Sequence, residues 1–443
     1  MLEINTGDTA WLLISAALVL MMTPALAFFY GGMVRAKGVL NMMMMSFAAM
    51  GVVGVLWVLF GYSMAFGDSW DGLVGNPFQF AGLTGLMSPD AAVATVPALA
   101  FVGFQAAFAI IAVALVSGAI AERATFTGWV VFAALWATLV YFPAAHWVFA
   151  FDGLGAEHGG WIANNLKAID FAGGTAIHIN AGVAGLALAL VLGQRHGFGR
   201  TPMRPHNMTL VMIGAGLLWF GWFGFNAGSA LGANGVAAVA WINTLVAPAA
   251  AMLAWLVVER YRDGHPTSLG AASGIVAGLV AITPAAGSVS PLGAVAIGAL
   301  ASVACSYAVG LKYRYGYDDS LDVVGVHLVG GLIGTLAIGL FADPASPAKV
   351  AGLFYGGGVD QLWRQAVGAF AVLIYSGVIS FGLGKAIQAT IGFRAAVTAE
   401  HSGIDLGEHS EVGYDLTPVQ HSAYRVRQTL YIGADESVDA SRK

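Results

Sequence analysis

Apolar positions along this chain come in long unbroken runs, with neither the three-and-four spacing of an amphipathic helix nor the alternation of a half-buried strand. A membrane-spanning helix needs about 20 mostly apolar residues. Runs of that kind lie near 9–34, 41–67, 95–121, 125–149, 169–193, 207–230, 235–258, 269–286, 291–311, 321–341 and 364–391. The pattern predicts an all-α integral membrane protein with eleven transmembrane helices. Basic residues between the runs keep to alternate connections: Arg35, Lys37, Arg123, Arg195, Arg200, Arg204, Arg260, Arg262, Lys312 and Arg314 fall in one set. The positive-inside rule assigns that set to the cytoplasm. The other set holds only Lys167, Lys349 and Arg364 among basic residues, beside acidic ones such as Asp68, Asp152 and Glu157. An odd number of spans then puts the N-terminus outside and the C-terminus inside, in a multi-pass protein of the cytoplasmic (inner) membrane.

Composition narrows the classes further. With 58% apolar and 10% charged residues and a mean hydropathy of +0.76, the chain is far from a soluble domain, where about a quarter of residues are charged. The net charge of −5 offers no basic patch for nucleic acid. The single cysteine, Cys305, forms no internal disulfide and no cysteine metal cluster. The first run follows an acidic Met1-Leu2-Glu3 and continues past Ala25-Leu26-Ala27 into Phe28-Phe29-Tyr30, so it reads as a retained span rather than a removed leader. Sixty glycines suit helices that approach closely in lipid, and Gly270, Gly274 and Gly278 recur on one face. From Gly392 onward the chain turns polar, which divides it into a transmembrane domain, 1–392, and a cytoplasmic tail, 393–443.

Five spans followed by five give two halves of opposite orientation, a 5+5 inverted pseudo-repeat with a substrate path at the repeat interface. The fifth and tenth runs occupy matching places, and each carries one histidine, His178 and His327. Ionisable groups at membrane depth are costly and by default mark an ion or proton pathway. Entering from opposite faces, the two imidazoles can meet and share one hydrogen, which disfavours protonation of both. Asp170 precedes Gly173-Gly174 at the outer end of the fifth run, where it can cap the helix or add negative potential to a vestibule. Asp322 opens the tenth run with the same choice, there read as structural. The sixth run, Trp219 to Ser229, and the pair Phe104 and Phe108 beside Gln105 offer aromatic faces to a cation, or form an interfacial aromatic belt.

Several segments resemble motifs of the Amt/Mep/Rh ammonium transporter family, specifically its bacterial Amt type: Phe29-Tyr30-Gly31-Gly32-Met33-Val34-Arg35, Glu122-Arg123, Asp170 to Asn180, and Trp222 to Ser229. The resemblance spans nearly the whole chain. It implies a homotrimer with one pore per subunit and no cofactor or metal. Carried over by position, His178 and His327 are a twin-histidine pair, Phe108 and Phe225 a stacked phenyl gate, and Ser229 part of an external ammonium site. Trp222, Gln105, Ser273 and Thr283 match pore-lining residues, and Asp170 matches an aspartate needed for transport. The family's external site usually has a tryptophan where this chain has Phe149, so either Phe149 or a shifted Trp147 provides that wall. The tail matches through Gly392-Phe393-Arg394, Glu400, Gly403-Ile404-Asp405, His409, Glu411 and Tyr414, which implies a regulatory element holding Arg394, Gly403, Asp405 and Tyr414. It also implies docking by a PII-type signal protein.

The function expected is ammonium transport for nitrogen uptake: recruitment at the outer aromatic site, deprotonation, and passage of ammonia past the histidines. The chain is not read as an enzyme. Other readings are a gas channel of the Rh type, an ammonium sensor, a haem protein ligated by His178 and His327, and a zinc site, which lacks a convincing third ligand.

Overall fold

The computed structural model describes residues 3–414. Ten of its helices are long and apolar enough to cross a membrane: α1 (Thr6–Met33), α2 (Ala36–Phe66), α3 (Ala98–Ile120), α4 (Phe126–Phe149), α5 (Gly174–Leu192), α6 (Met208–Gly228), α7 (Gly235–Arg262), α9 (Pro291–Tyr315), α10 (Val324–Phe341) and α11 (Asp360–Thr390). The run expected near 269–286 forms a shorter helix of 15 residues, α8 (Ser268–Ile282). Its end has a local cause. Pro284, two residues on, has no N–H to continue the ladder, and its ring packs where a Cβ on Gly174 would stand 2.4 Å away. The broken end of α8 therefore meets the start of α5.

α3 and α5 are the most enclosed helices, whereas α2 and α11 expose most of their length. The four-residue glycine spacing on α8 is used against α7: a Cβ on Gly274 would lie 2.9 Å from the Met252 Cα, and one on Gly278 2.5 Å from the Ala251 Cβ. Such approaches bring backbones into dispersion contact that larger residues would prevent.

Two of the helices begin with a π-helical turn: α5 with Gly174–Ile179 and α10 with Val324–Leu328. Each turn carries one of the two histidines. Turns of this kind displace side chains from the regular helical positions and recur at functional sites.

The N-terminus lies on one face, where the Asn5 N–H donates to the Thr95 carbonyl at 2.8 Å. Two short hairpins stand there, β1 (Ser69–Trp70) with β2 (Val74–Gly75) and β3 (Ala92–Val93) with β4 (Val96–Pro97). His146, buried at the end of α4, ties the first of them to the end of α2 through contacts to the Ser69 hydroxyl at 2.8 Å and the Ala65 carbonyl at 3.0 Å. The segment preceding Asp170 folds back on itself, with the Asn164 amide donating to the carbonyls of Ala150 and Gly160. The tail occupies the opposite face as α12 (Val397–Ser402) and α13 (Ile404–His409). Residues 415–443 of the expected tail lie outside the described residues.

Candidate functional site

A cavity of about 470 Å³ opens on the N-terminal face, lined in part by Gln105, Phe108, Phe149, Asp170 and Ser229. Its floor is an aromatic stack. The Phe108 and Phe225 rings lie parallel within 3°, with centroids 4.2 Å apart, and Phe149 meets Phe108 edge-on at 6.3 Å and 85°. Ser229, just past the end of α6, donates its hydroxyl to the Phe225 carbonyl at 2.9 Å, which leaves lone pairs directed away from its own helix. Of the two residues weighed for the aromatic wall, Phe149 borders the cavity. Trp147 points elsewhere: its indole donates to the Leu73 carbonyl at 2.6 Å and its ring packs on Trp161 and Tyr375.

Below the stack the path narrows. His178 stands 6.3 Å from Phe225 between centroids, and its Nδ1 lies 3.2 Å from the Nδ1 of His327. One ring donates and the other accepts. The rings are nearly parallel, at 20°, and the Trp222 indole stacks on His178 at 5.5 Å and 19°. Trp222 is itself fixed by donating to the Thr283 hydroxyl at 2.8 Å. Apolar side chains, among them Met22, Leu26, Ile111, Leu218 and Val276, supply the rest of the lining, and the free space is about 10 Å³, room for roughly one water-sized molecule. Ser273, buried on α8, lines neither the cavity nor this passage. A second cavity of about 380 Å³, bordered by Met33, Arg195, Lys312 and Leu321, opens on the tail face.

Asp170 settles how the first histidine is held. One carboxylate oxygen accepts from the N–H groups of Gly173 and Gly174 at 2.8 and 2.7 Å, and the other from Thr175 and Ala176 at 2.8 and 3.0 Å. These are the orphan donors of the π-helical turn, and the anion satisfies all four. The same device recurs in the second half at Asp319, not at Asp322. Asp319 accepts from Val323 and Val324 at 3.1 and 2.7 Å, while Asp322 pairs with Lys312 at 2.6 Å. Each histidine follows its buried aspartate by eight residues. That equal spacing was the signal the sequence carried for Asp319, obscured by Asp322 standing closer to the apolar run.

Charged groups on the tail face join the helix ends. Glu122, at φ +66°, accepts from the Arg35 Nε and the Arg195 Nη1, both at 2.7 Å, and Arg195 forks onto Asp318. Burial alone would raise the Glu122 pKa, but Arg195 and then Arg35 overcome it and hold the carboxyl below the ordinary 4.5. A carboxylate depressed on folding contributes stability above its unfolded pKa that is lost as pH falls through the folded value. The wild-type melting midpoint should therefore hold from pH 7 to about 5 and decline below it. Glu122→Gln should melt lower at pH 7, by a loss of about 3–5 kcal/mol for breaking a buried pair, and show less of the acid-side decline. Fluorescence-monitored melting across pH checks both.

The tail residues converge on this face. Arg394 binds Glu400 at 2.6 Å and the Leu192 carbonyl at the end of α5 at 2.6 Å. Asp405 accepts from the backbone of Leu40 and Asn41 at 3.0 and 2.8 Å, capping the start of α2. Gly403, at φ +125°, passes close to Lys37, and the Tyr414 hydroxyl meets His206 at 2.8 Å.

Comparison with known proteins gives one consistent result. A model of the Ammonium Transporter Family matches residues 10–414. An ammonium transporter of Mycobacterium tuberculosis (strain ATCC 25618 / H37Rv) is 61% identical, over 96% of this chain and 93% of its own length. One from Aquifex aeolicus is 47% identical, over 94% and 95%. Among solved structures, Saccharomyces cerevisiae Mep2 superposes with a TM-score of 0.81 at 33% identity, over 89% of this chain and 88% of its own. A protein described as a sensor Amt protein gives 0.84 at 27%, over 91% and 98%.

Proposed function

The chain belongs to the ammonium transporter family, a family of transporters and not of enzymes, and from that premise we propose that it carries ammonium by stripping a proton beneath the aromatic stack and passing ammonia along the hydrogen-bonded pair His178 and His327. The observation that carries this reading is the change in lining along one line: an aromatic cavity, a closed phenyl pair, then an apolar passage of about 10 Å³ whose polar lining atoms are those of the two imidazoles and the Trp222 indole. Removing the hydration of a small cation costs several kcal/mol unless other dipoles replace it, and the passage offers few. Ammonium can leave its charge behind by releasing a proton to water, and that proton returns to the outer solution in neutral flux or crosses by a separate route in electrogenic transport; potassium has none to release. The cavity suits the first step, since aromatic faces, the Gln105 side chain and the Ser229 oxygen can receive a cation carrying N–H donors.

In this reading the N-terminal face is extracellular and the tail face cytoplasmic, consistent with Arg35, Lys37, Arg195 and Arg394 clustering on the latter. The protein acts as a homotrimer of eleven-helix subunits in the cytoplasmic membrane, each built as a 5+5 inverted repeat. The tail, pinned to α2, α4 and α5, is the regulatory element, and its exposed face receives a PII-type signal protein.

The test is an ammonium concentration jump on wild-type proteoliposomes adsorbed to a solid-supported membrane, with internal pH followed in parallel. A transient current for ammonium and none for potassium is the expected result and makes transport electrogenic. An internal pH change without current means neutral ammonia flux. The absence of both signals overturns transport in favour of sensing.

A further inference from the structure

We propose that Lys167 is a tethered competitor for the cavity on the N-terminal face, a built-in ammonium group that sets how much external ammonium is needed to fill it. The inference rests on the reading of that cavity as the cation entrance. Lys167 and Asp170 are the charged residues that border it, and their situations are opposite. Asp170 spends both carboxylate oxygens on four backbone N–H groups, so little of its charge is left for a ligand. Lys167 is exposed and makes no ion pair among the described residues. Of the two charged groups at the entrance, the cation is therefore the one left free to move.

The attachment of this side chain is fixed. Lys167 sits at φ +58° and ψ +36°, a left-handed conformation costly for a residue with a Cβ, and its N–H closes the preceding turn onto the Ile162 carbonyl. Such a conformation persists where neighbours over-determine it. Here Arg364 donates to the Leu166 carbonyl at 2.7 Å on one side. On the other, Gln365 grips both the N–H and the carbonyl of Ile169, each at 2.6 Å. From that anchored point a long flexible stem carries a primary ammonium with three N–H donors and the same charge as the substrate. It competes in two ways: by occupying the aromatic lining and the Gln105 and Ser229 side chains itself, and by lowering the local concentration of other cations. Neither effect alters passage below the stack, so the expected signature lies in half-saturation and not in maximal rate.

Uptake of radiolabelled methylammonium into proteoliposomes, measured over a range of concentrations at about 10 mM and about 150 mM salt, tests this, because the screening length falls from about 30 to about 8 Å between them. Lys167→Gly is the informative variant, since glycine accepts the positive φ and the fold is not at risk. Lys167→Gly and Lys167→Gln should lower the half-saturating concentration by about three- to tenfold at low salt with maximal rate unchanged. Lys167→Arg should stay near wild type, and the gap should narrow at high salt. A Gln variant with wild-type half-saturation overturns the inference, and so does an Arg variant that shifts as far as Gly. A wild type that takes up no methylammonium overturns the reading of the cavity as entrance, and this inference with it.

Discussion

Proteoliposomes carrying His178→Ala should give an ammonium-driven current at least about tenfold below wild type. The imidazole pair is held by one contact of 3.2 Å between Nδ1 atoms, and the alanine leaves the His327 Nδ1 without that partner in an enclosed passage. An unpaired buried polar group costs about 1–3 kcal/mol, a factor of about 5 to 150 in an equilibrium. The lost ring also withdraws the surface on which Trp222 stacks and one wall of a space that otherwise holds about one water-sized molecule. These two consequences separate in a control. His178→Asn can place its amide near the position of Nδ1 and should recover much of the current if the hydrogen bond matters most. A potassium current that appears in the alanine variant and not in wild type would mean that the ring acts chiefly by filling the passage. A current within twofold of wild type in His178→Ala would reduce the pair to packing.

How far the site could be read from the sequence depended on whether a feature was written locally. The apolar runs were legible because lipid imposes a length and a hydropathy on each span, and ten long helices appear where runs were expected. The run near 269–286 was harder to bound. Its apolar character continues through Ala285-Ala286, whereas the helix stops at Ile282 under the influence of Pro284 and its packing on Gly174. That packing is tertiary and leaves no periodicity. The histidines are isolated ionisable groups in apolar surroundings, and opposite entry of the fifth and tenth runs predicts the meeting that the 3.2 Å contact makes.

Choosing between Phe149 and Trp147 was beyond the sequence. The two lie two residues apart on α4, and which one turns toward the cavity depends on the hairpin at Leu73 that captures the Trp147 indole. The role of Glu122 was hidden for a related reason: its guanidinium partners lie at Arg35 and Arg195, on separate connections. Lys167 gave no sign of its strained backbone, since nothing in a lone lysine announces a positive φ.

Asp170→Asn should lower both the melting midpoint and the maximal transport rate while leaving half-saturation about unchanged. An asparagine keeps one acceptor oxygen and replaces the other with a donor. Either the Gly173 and Gly174 N–H groups or those of Thr175 and Ala176 would then face an NH₂ group. Two buried donors lose their acceptor at about 1–3 kcal/mol each, a loss on the order of 2–6 kcal/mol. The damage falls on the π-helical turn Gly174–Ile179, which holds His178, so loosening it moves the imidazole away from His327. A carboxylate that bound the substrate directly would behave differently: its neutral variant would raise half-saturation and leave the melting midpoint in place. Fluorescence-monitored melting together with methylammonium uptake over a range of concentrations separates the two. The geometry favours the first pattern because no oxygen of Asp170 is left without a backbone donor, which makes this residue the positioning element for the histidine eight residues further on.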